Sequence, residues 1–316
     1  MTATGELPSR RQAWLMAARP QTLPATVAPI VVGVGLAVRD GVLAPLPALA
    51  ALLGAALIQI GTNFANDYYD AIKGADTDER EGFTRVTQAG LIPPEEVKRA
   101  MLLTFATAIL VGTYLVYLGG VPILVIGLAS VLSGIAYTGG PYPFGYYGLG
   151  DLFVFVFFGV IAVTGTYYVQ AVTFLSEPFP LWIPAGAVTE TVVLASLPIA
   201  ALATAILVVN NVRDLETDRE AGKRTLAVIM GYRWSRVEYV GLLALAYVVP
   251  VGLALSTGSF TILLPLLSIP LAVRLARTLC TRTDGEALNP ALEQTGKLLA
   301  LYAVLFAVGL TLPTFV

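Results

Sequence analysis

The chain has 316 residues, 56% of them hydrophobic and only 13% charged, with a formal net charge of −2 and a mean hydropathy of +0.77. A soluble domain cannot hide that much apolar surface, so the composition points to an integral membrane protein. A single cysteine, Cys280, and no histidine exclude internal disulfides, thiolate metal cages, haem ligation by imidazole and histidine acid–base catalysis.

Apolar runs close to membrane length, roughly 17–25 residues, recur nine times: Leu23–Val38, Leu46–Gly61, Met101–Leu118, Val121–Tyr137, Leu152–Phe174, Val192–Val209, Tyr239–Leu255, Phe260–Arg277 and Leu298–Phe315. None alternates polar and apolar residues as a barrel strand would. Residues 1–18 read as a frayed or interfacial cytoplasmic tail. Arg10 and Arg11 precede an apolar stretch, but that stretch contains Pro20, Pro24 and Pro29 and has no small-residue cleavage site, so it is the first span and not a signal peptide. Arg19 enters this helix as a surface anchor or as an anion contact at a cavity mouth.

The second run is short unless it continues into Asn63–Asp78, NFANDYYDAIKGADTD. Asn63, Asp67 and Asp70 stand at i, i+4, i+7 and share one helical face. Lys73 and Gly74 follow, then Asp76 and Asp78. Pro93, Pro94, Glu95 and Glu96 mark the start of the next helix, with proline and acidic residues in its first turn. Gly119-Gly120 reads as a tight turn between the third and fourth spans. The glycine- and proline-rich stretch from Ala136 to Asp151 is a loop. Its tyrosines, Tyr137 among them, form an interfacial belt or contact an aromatic substrate or a carbocation. Asp151 reads as the N-cap of the fifth helix.

The sixth run delivers Asn210–Ala227, NNVRDLETDREAGKRTLA. Asn210, Asp214 and Asp218 at i, i+4, i+8 share one face if the helix continues. Arg213, Lys223 and Arg224 accompany them. The last three runs have no acidic residue in their apolar centres and are assigned to packing around a lipid-facing cavity.

Three basic residues precede the first span, five lie between the second and third, six between the sixth and seventh, and four around the eighth-to-ninth loop. Only Arg39 of the 19 Lys and Arg falls on the other side. By the positive-inside rule the basic side is cytoplasmic, with the N-terminus, and the C-terminus is outside. The expected fold is all-α and polytopic, with nine transmembrane helices in a single domain over residues 1–316. Acidic motifs after the second and sixth spans suggest a four-plus-four pseudo-repeat plus one helix. The segments 62–99 and 210–236 are the expected cytoplasmic active-site loops.

Carboxylates facing each other suit a hard divalent cation such as Mg²⁺, which takes one or two carboxylates plus substrate phosphates and waters. Nearby Lys and Arg suit an anion bridged to it. Diphosphate on a long lipid fits a membrane setting.

Asn66-Asp67-Tyr68-Tyr69-Asp70 and the Asp214/Asp218 pair resemble the paired signatures of the UbiA superfamily of intramembrane prenyltransferases. The menaquinone-pathway branch, which acts on 1,4-dihydroxy-2-naphthoate, is the finer resemblance. It rests on Ala18–Pro24, Lys73-Gly74, Gly148-Leu149-Gly150-Asp151, Asn210–Asp214 and Gly222–Leu226. The resemblance implies nine helices around a central cavity, Mg²⁺, a polyprenyl diphosphate donor, and a ring prenylation that replaces the acceptor's carboxyl group to give a demethylmenaquinone. It implies Asp67, Asp70, Asp214 and Asp218 as metal-binding catalytic residues. Asn63, Asn66, Lys73, Asn210, Arg213, Lys223, Arg224, Arg19 and Tyr137 are the implied substrate contacts. Some superfamily members carry a third Asp where this chain has Gly74, which leaves Asp76 and Asp78 as candidates for that place. A plasma-membrane location follows, and no nucleic-acid partner is expected. The competing readings are another acceptor (a hydroxybenzoate, a homogentisate or a glycerol phosphate lipid) and a secondary transporter. Transporter coupling residues lie near the bilayer midplane; here the acidic groups gather at one face.

Overall fold

The computed structural model describes residues 8–73 and 85–312, and among these every regular element is helical. The elements are α1 (Arg10–Ala18), α2 (Leu23–Arg39), α3 (Pro45–Lys73), α4 (Pro94–Ala136) and α5 (Gly150–Val154). A π-turn (Phe155–Ile161) joins α5 to α6 (Ala162–Leu175). Then come α7 (Glu190–Arg213), α8 (Leu215–Glu220), α9 (Leu226–Thr257), a 3₁₀ stretch (Phe260–Ser268), α10 (Ile269–Thr281) and α11 (Gly285–Thr311). Among the described residues, eight stretches are long and apolar enough to cross a membrane.

One of the eight is two spans. The 43 residues of α4 would run about 65 Å at 1.5 Å per residue, twice a bilayer core. At Gly120 the backbone turns to φ 65°, ψ −150°, and Phe105 then lies against Gly134. The chain has doubled back, so the described residues hold nine crossing segments. Only glycine fits this turn: its φ is positive and a Cβ would lie 1.8 Å from the Pro180 carbonyl oxygen. That carbonyl accepts the Val121 N–H at 3.0 Å.

α7 is the central post. Its residues from Pro198 to Ala205 are buried on every side, the pattern of a helix enclosed by others. Small residues allow the close approaches. Gly159 of the π-turn abuts Ala200, Gly35 of α2 abuts Ala307 of α11, and Gly33 abuts Thr166. Large exposed side chains such as Leu103, Leu110, Val125, Leu132 and Leu255 coat the outside.

The N-terminal segment is not frayed over residues 10–18. Ser9 and Gln12 form a capping box that starts α1. Ala13 and Ala17 are buried beside Phe64, and Trp14 meets Phe64 edge-on at 5.8 Å. The last helix also starts earlier than its apolar run, at Gly285, with Asp284 capping the Ala287 N–H at 3.0 Å. The basic segments share one end of the bundle. Arg10 pairs with Glu96 at 2.5 Å, and Arg236 donates to the Leu279 carbonyl at 2.9 Å. Arg39 is at the opposite end with Asp40, which also accepts from Tyr167 at 2.8 Å.

Candidate active site

α3 is long enough to project its last turns past the apolar layer. Asn63, Asp67 and Asp70 lie on its buried face, as their spacing predicts. The chain just before α4 folds over them. Asp67 Oδ2 accepts from the Thr87 N–H at 3.2 Å and from its hydroxyl at 2.9 Å. Asp70 Oδ2 accepts from Arg85 Nη2 at 2.7 Å, with both side chains buried. Asn63 Nδ2 donates to the Ala18 carbonyl at 2.9 Å, which brings the α1–α2 junction and Arg19 to this corner. Arg19 adopts a left-handed φ of 53° there. Asn66 faces elsewhere, accepting from the Thr138 hydroxyl at 2.9 Å.

The second motif nearly continues α7. Asp214 (φ −91°, ψ 9°) breaks the helix, yet the Asp214 N–H still reaches the Asn210 carbonyl at 3.0 Å and the Asp218 N–H the Asp214 carbonyl at 2.8 Å. Asn210, Asp214 and Asp218 therefore keep one row. Arg213 grips Asp214 with two bonds of 2.7 Å, to Oδ1 and Oδ2. Its remaining donors reach Asn210 Oδ1 and Asn289 Oδ1, each at 2.9 Å. Lys223 Nζ is 3.6 Å from Asp218. The Arg224 side chain is exposed, and its N–H donates to the Tyr146 carbonyl at 2.9 Å.

The glycine-rich loop joins the two motifs. The Tyr146 hydroxyl donates to Asp70 Oδ1 at 2.5 Å, and Lys223 Nζ lies 5.1 Å over the same ring. A line runs Asp70, Tyr146, Lys223, Asp218. Lys73 Nζ secures the loop through the carbonyls of Thr138 at 2.6 Å and Gly140 at 3.2 Å. Tyr137 lies under the same loop, its carbonyl accepting the Gly145 N–H at 2.9 Å. Asp151 is not a cap: Leu149 holds that position without a side-chain cap bond, and Asp151 is buried with Oδ2 lacking a hydrogen-bond partner among the described residues.

From this polar head a cavity of about 370 Å³ runs between α2, α3, both arms of α4 and the α5–α6 segment. Thr26, Gln59, Thr62 and Tyr137 line its near end; Leu115, Ile123 and Val169 line the far end. One wall is an aromatic column, with Phe144 stacked on Phe153 at 4.2 Å and Phe153 on Phe157 at 5.7 Å.

Sequence reasoning passed over Arg85, Thr87 and Asn289, and it did not single out Tyr146 among the loop's tyrosines as a partner of Asp70. Asn289 belongs to a helix assigned to packing alone. Asp76 and Asp78 lie outside the described residues. No cluster of three or more His, Cys, Asp or Glu suited to a metal occurs among the described residues. Two carboxylates on each of two helix ends nevertheless fit Mg²⁺, a hard cation that takes few protein ligands and completes its shell with phosphate oxygens and water.

A membrane bundle with two acidic, cation-lined helix ends at the head of an apolar cavity is an intramembrane enzyme site for an anionic head on an apolar tail. The UbiA prenyltransferase family model matches residues 26–299, and the chain belongs to that family. A 1,4-dihydroxy-2-naphthoate octaprenyltransferase of Escherichia coli (strain K12) is 41% identical over 312 residues, 96% of each chain. One from Mycobacterium tuberculosis is 37% identical over 294 residues, 93% of this chain and 95% of the relative. The solved structure of a UbiA homologue from Archaeoglobus fulgidus bound to DMAPP and Mg²⁺ matches with a TM-score of 0.60 at 17% identity, over 93% of this chain and 99% of that chain.

Proposed function

We propose that this chain transfers a polyprenyl group from its diphosphate to 1,4-dihydroxy-2-naphthoate, with loss of the carboxyl group as CO₂, giving the quinol form of a demethylmenaquinone and diphosphate. The names of its full-length relatives support the acceptor. The observation that carries the reaction type is the Asp70–Tyr146–Lys223–Asp218 line at the polar end of an apolar cavity.

Asp67, Asp70, Asp214 and Asp218 would hold Mg²⁺, which supplies positive charge to the departing diphosphate. Lys223 and Arg224, beside the second row, neutralise the outer oxygens of the same group. The cavity keeps water from the allylic cation while the ring carbon captures it. The leaving carboxyl departs as CO₂, its bonding pair returning to the ring. The basic end of the bundle faces the cytoplasm in this reading, in a plasma membrane.

The test uses purified protein with Mg²⁺, a ladder of prenyl diphosphates and candidate acceptors, with products weighed by mass spectrometry. Prenylated, decarboxylated naphthoquinol is expected. Prenylation of a hydroxybenzoate in preference would move the acceptor assignment, and absence of any diphosphate release would favour a transporter.

A further inference from the structure

We infer that Gln59 and Thr26 form a polar seat for the hydroxylated ring of the aromatic acceptor; this rests on the reaction proposed above. Gln59 is one helical turn before Asn63 on α3, and its amide is fixed. Nε2 donates to Thr22 Oγ1 at 3.0 Å and to Asn63 Oδ1 at 3.3 Å. The Thr22 hydroxyl proton is committed to the Arg19 carbonyl at 2.8 Å. Thr22 also accepts from Asn63 Nδ2 at 3.2 Å. Both groups facing this edge of the amide are therefore acceptors, and the amide cannot turn over without losing two hydrogen bonds. Oε1 is forced to the other side, where it has no hydrogen-bond partner among the described residues.

Thr26, one turn beyond Thr22 on α2, is the second orphan. Thr104, Thr164, Thr166 and Thr204 return their hydroxyls to the carbonyl four residues back. Thr26 Oγ1 does not, and it too has no hydrogen-bond partner among the described residues. Gln59 and Thr26 line the same cavity and are 8% and 4% exposed. Two buried, unsatisfied oxygens in the lining of one apolar cavity are costly to keep unless something completes them.

The chemistry of the substrates selects what that is. A prenyl chain has no donor. Diphosphate oxygens are acceptors and would repel Oε1. The acceptor's ring hydroxyls are the O–H donors of the reaction, carried on an apolar frame that suits the rest of the wall. One ring hydroxyl donates to Gln59 Oε1, and the Thr26 hydroxyl meets the ring's oxygen. This turns the reacting face toward the head of the cavity and selects hydroxylated over etherified rings.

The experiment measures steady-state kinetics for Thr26→Val and Gln59→Met with 1,4-dihydroxy-2-naphthoate and its two mono-methyl ethers, donor and acceptor varied separately. Each variant should raise acceptor KM roughly 10-fold, the worth of one hydrogen bond, with donor KM nearly unchanged. The penalty that the wild type shows against one ether should shrink in the variants, a change that a merely structural role would not produce. Thr26→Val is isosteric and removes an orphan hydroxyl, so its melting temperature should hold or rise, which keeps the test valid if Gln59→Met folds poorly. An unchanged acceptor KM and ether penalty in Thr26→Val, beside an active wild type, overturns the seat. A wild type that prenylates no naphthoate overturns the acceptor assignment itself.

Discussion

Tyr146 donates its hydroxyl to Asp70 at 2.5 Å, across 76 residues of sequence, and so ties the glycine-rich loop to the end of α3. The bond orients a buried carboxylate, and the ring above it carries Lys223. Tyr146→Phe keeps the ring and loses the bond. A hydrogen bond to a charged group is worth about 1.5–3 kcal/mol, so donor KM or kcat should worsen roughly 10- to 100-fold. Tyr146→Leu, which also removes the face under Lys223, should be worse. Equal activity of all three forms would remove Tyr146 from the site.

Asp67 and Asp70 should separate stability from activity. Asp67 accepts from Thr87, and Asp70 pairs with the buried Arg85. Asp70→Asn takes one carboxylate out of that buried ion pair and should lower the melting temperature. Asp67→Asn keeps the side chain's size and should lose turnover by orders of magnitude, as should Asp214→Asn, which also breaks the buried pair with Arg213 and should lower the melting temperature. Thermal unfolding in detergent beside product formation checks both, and near-normal turnover in Asp67→Asn would reduce the first motif to a solvated helix end.

Asn289 gives α11 a role in the second motif. It holds Arg213 Nη1, while the rest of the guanidinium grips Asp214 and Asn210. Asn289→Ala should raise the KM for prenyl diphosphate by roughly 10-fold or more, the loss of one bond to a charged donor, and leave the acceptor KM alone. A shift confined to the acceptor would detach α11 from donor binding.

The cations divide by what they already hold. Lys73 is engaged with two loop carbonyls, so Lys73→Ala should loosen the loop and lower the melting temperature along with activity. Arg224 has an exposed side chain, so Arg224→Ala should weaken donor use without a stability cost. Lys223→Ala should do the same more strongly, because Lys223 pairs with Asp218. In Arg19→Ala, a change in acceptor KM alone would place Arg19 with the acceptor's carboxylate. If Lys223→Ala and Arg224→Ala alter only acceptor KM, the second motif does not bind the donor.

Topology is open to cysteine labelling once Cys280 is replaced by serine. Glu95→Cys, Glu220→Cys and Glu286→Cys are at exposed positions on the basic end and should be shielded from an impermeant reagent in intact cells. Trp182→Cys, at the other end and 83% exposed, should label. Labelling of Glu220→Cys from outside would invert the orientation.

The sequence by itself determined the membrane class, the crossing segments and the two acidic rows, because each follows from local periodicity. Hydropathy over a bilayer length marks a span, and a 3.6-residue turn puts Asn63, Asp67 and Asp70 on one face whatever surrounds them. The Gly119-Gly120 pair likewise announced the reversal that a count of long helices hides. The Ser9–Gln12 capping signal was also in the sequence, but α1 is too polar for hydropathy to find it. Only the tertiary structure decided the partners of those rows. Arg85 reaches Asp70 across 15 residues and Thr87 reaches Asp67 across 20; Asn289 meets Arg213 across 76. No local period encodes such pairs. They exist because packing around α7 brings separate helix ends to one place, and the same packing fixes the amide of Gln59 so that its oxygen is left without a partner among the described residues.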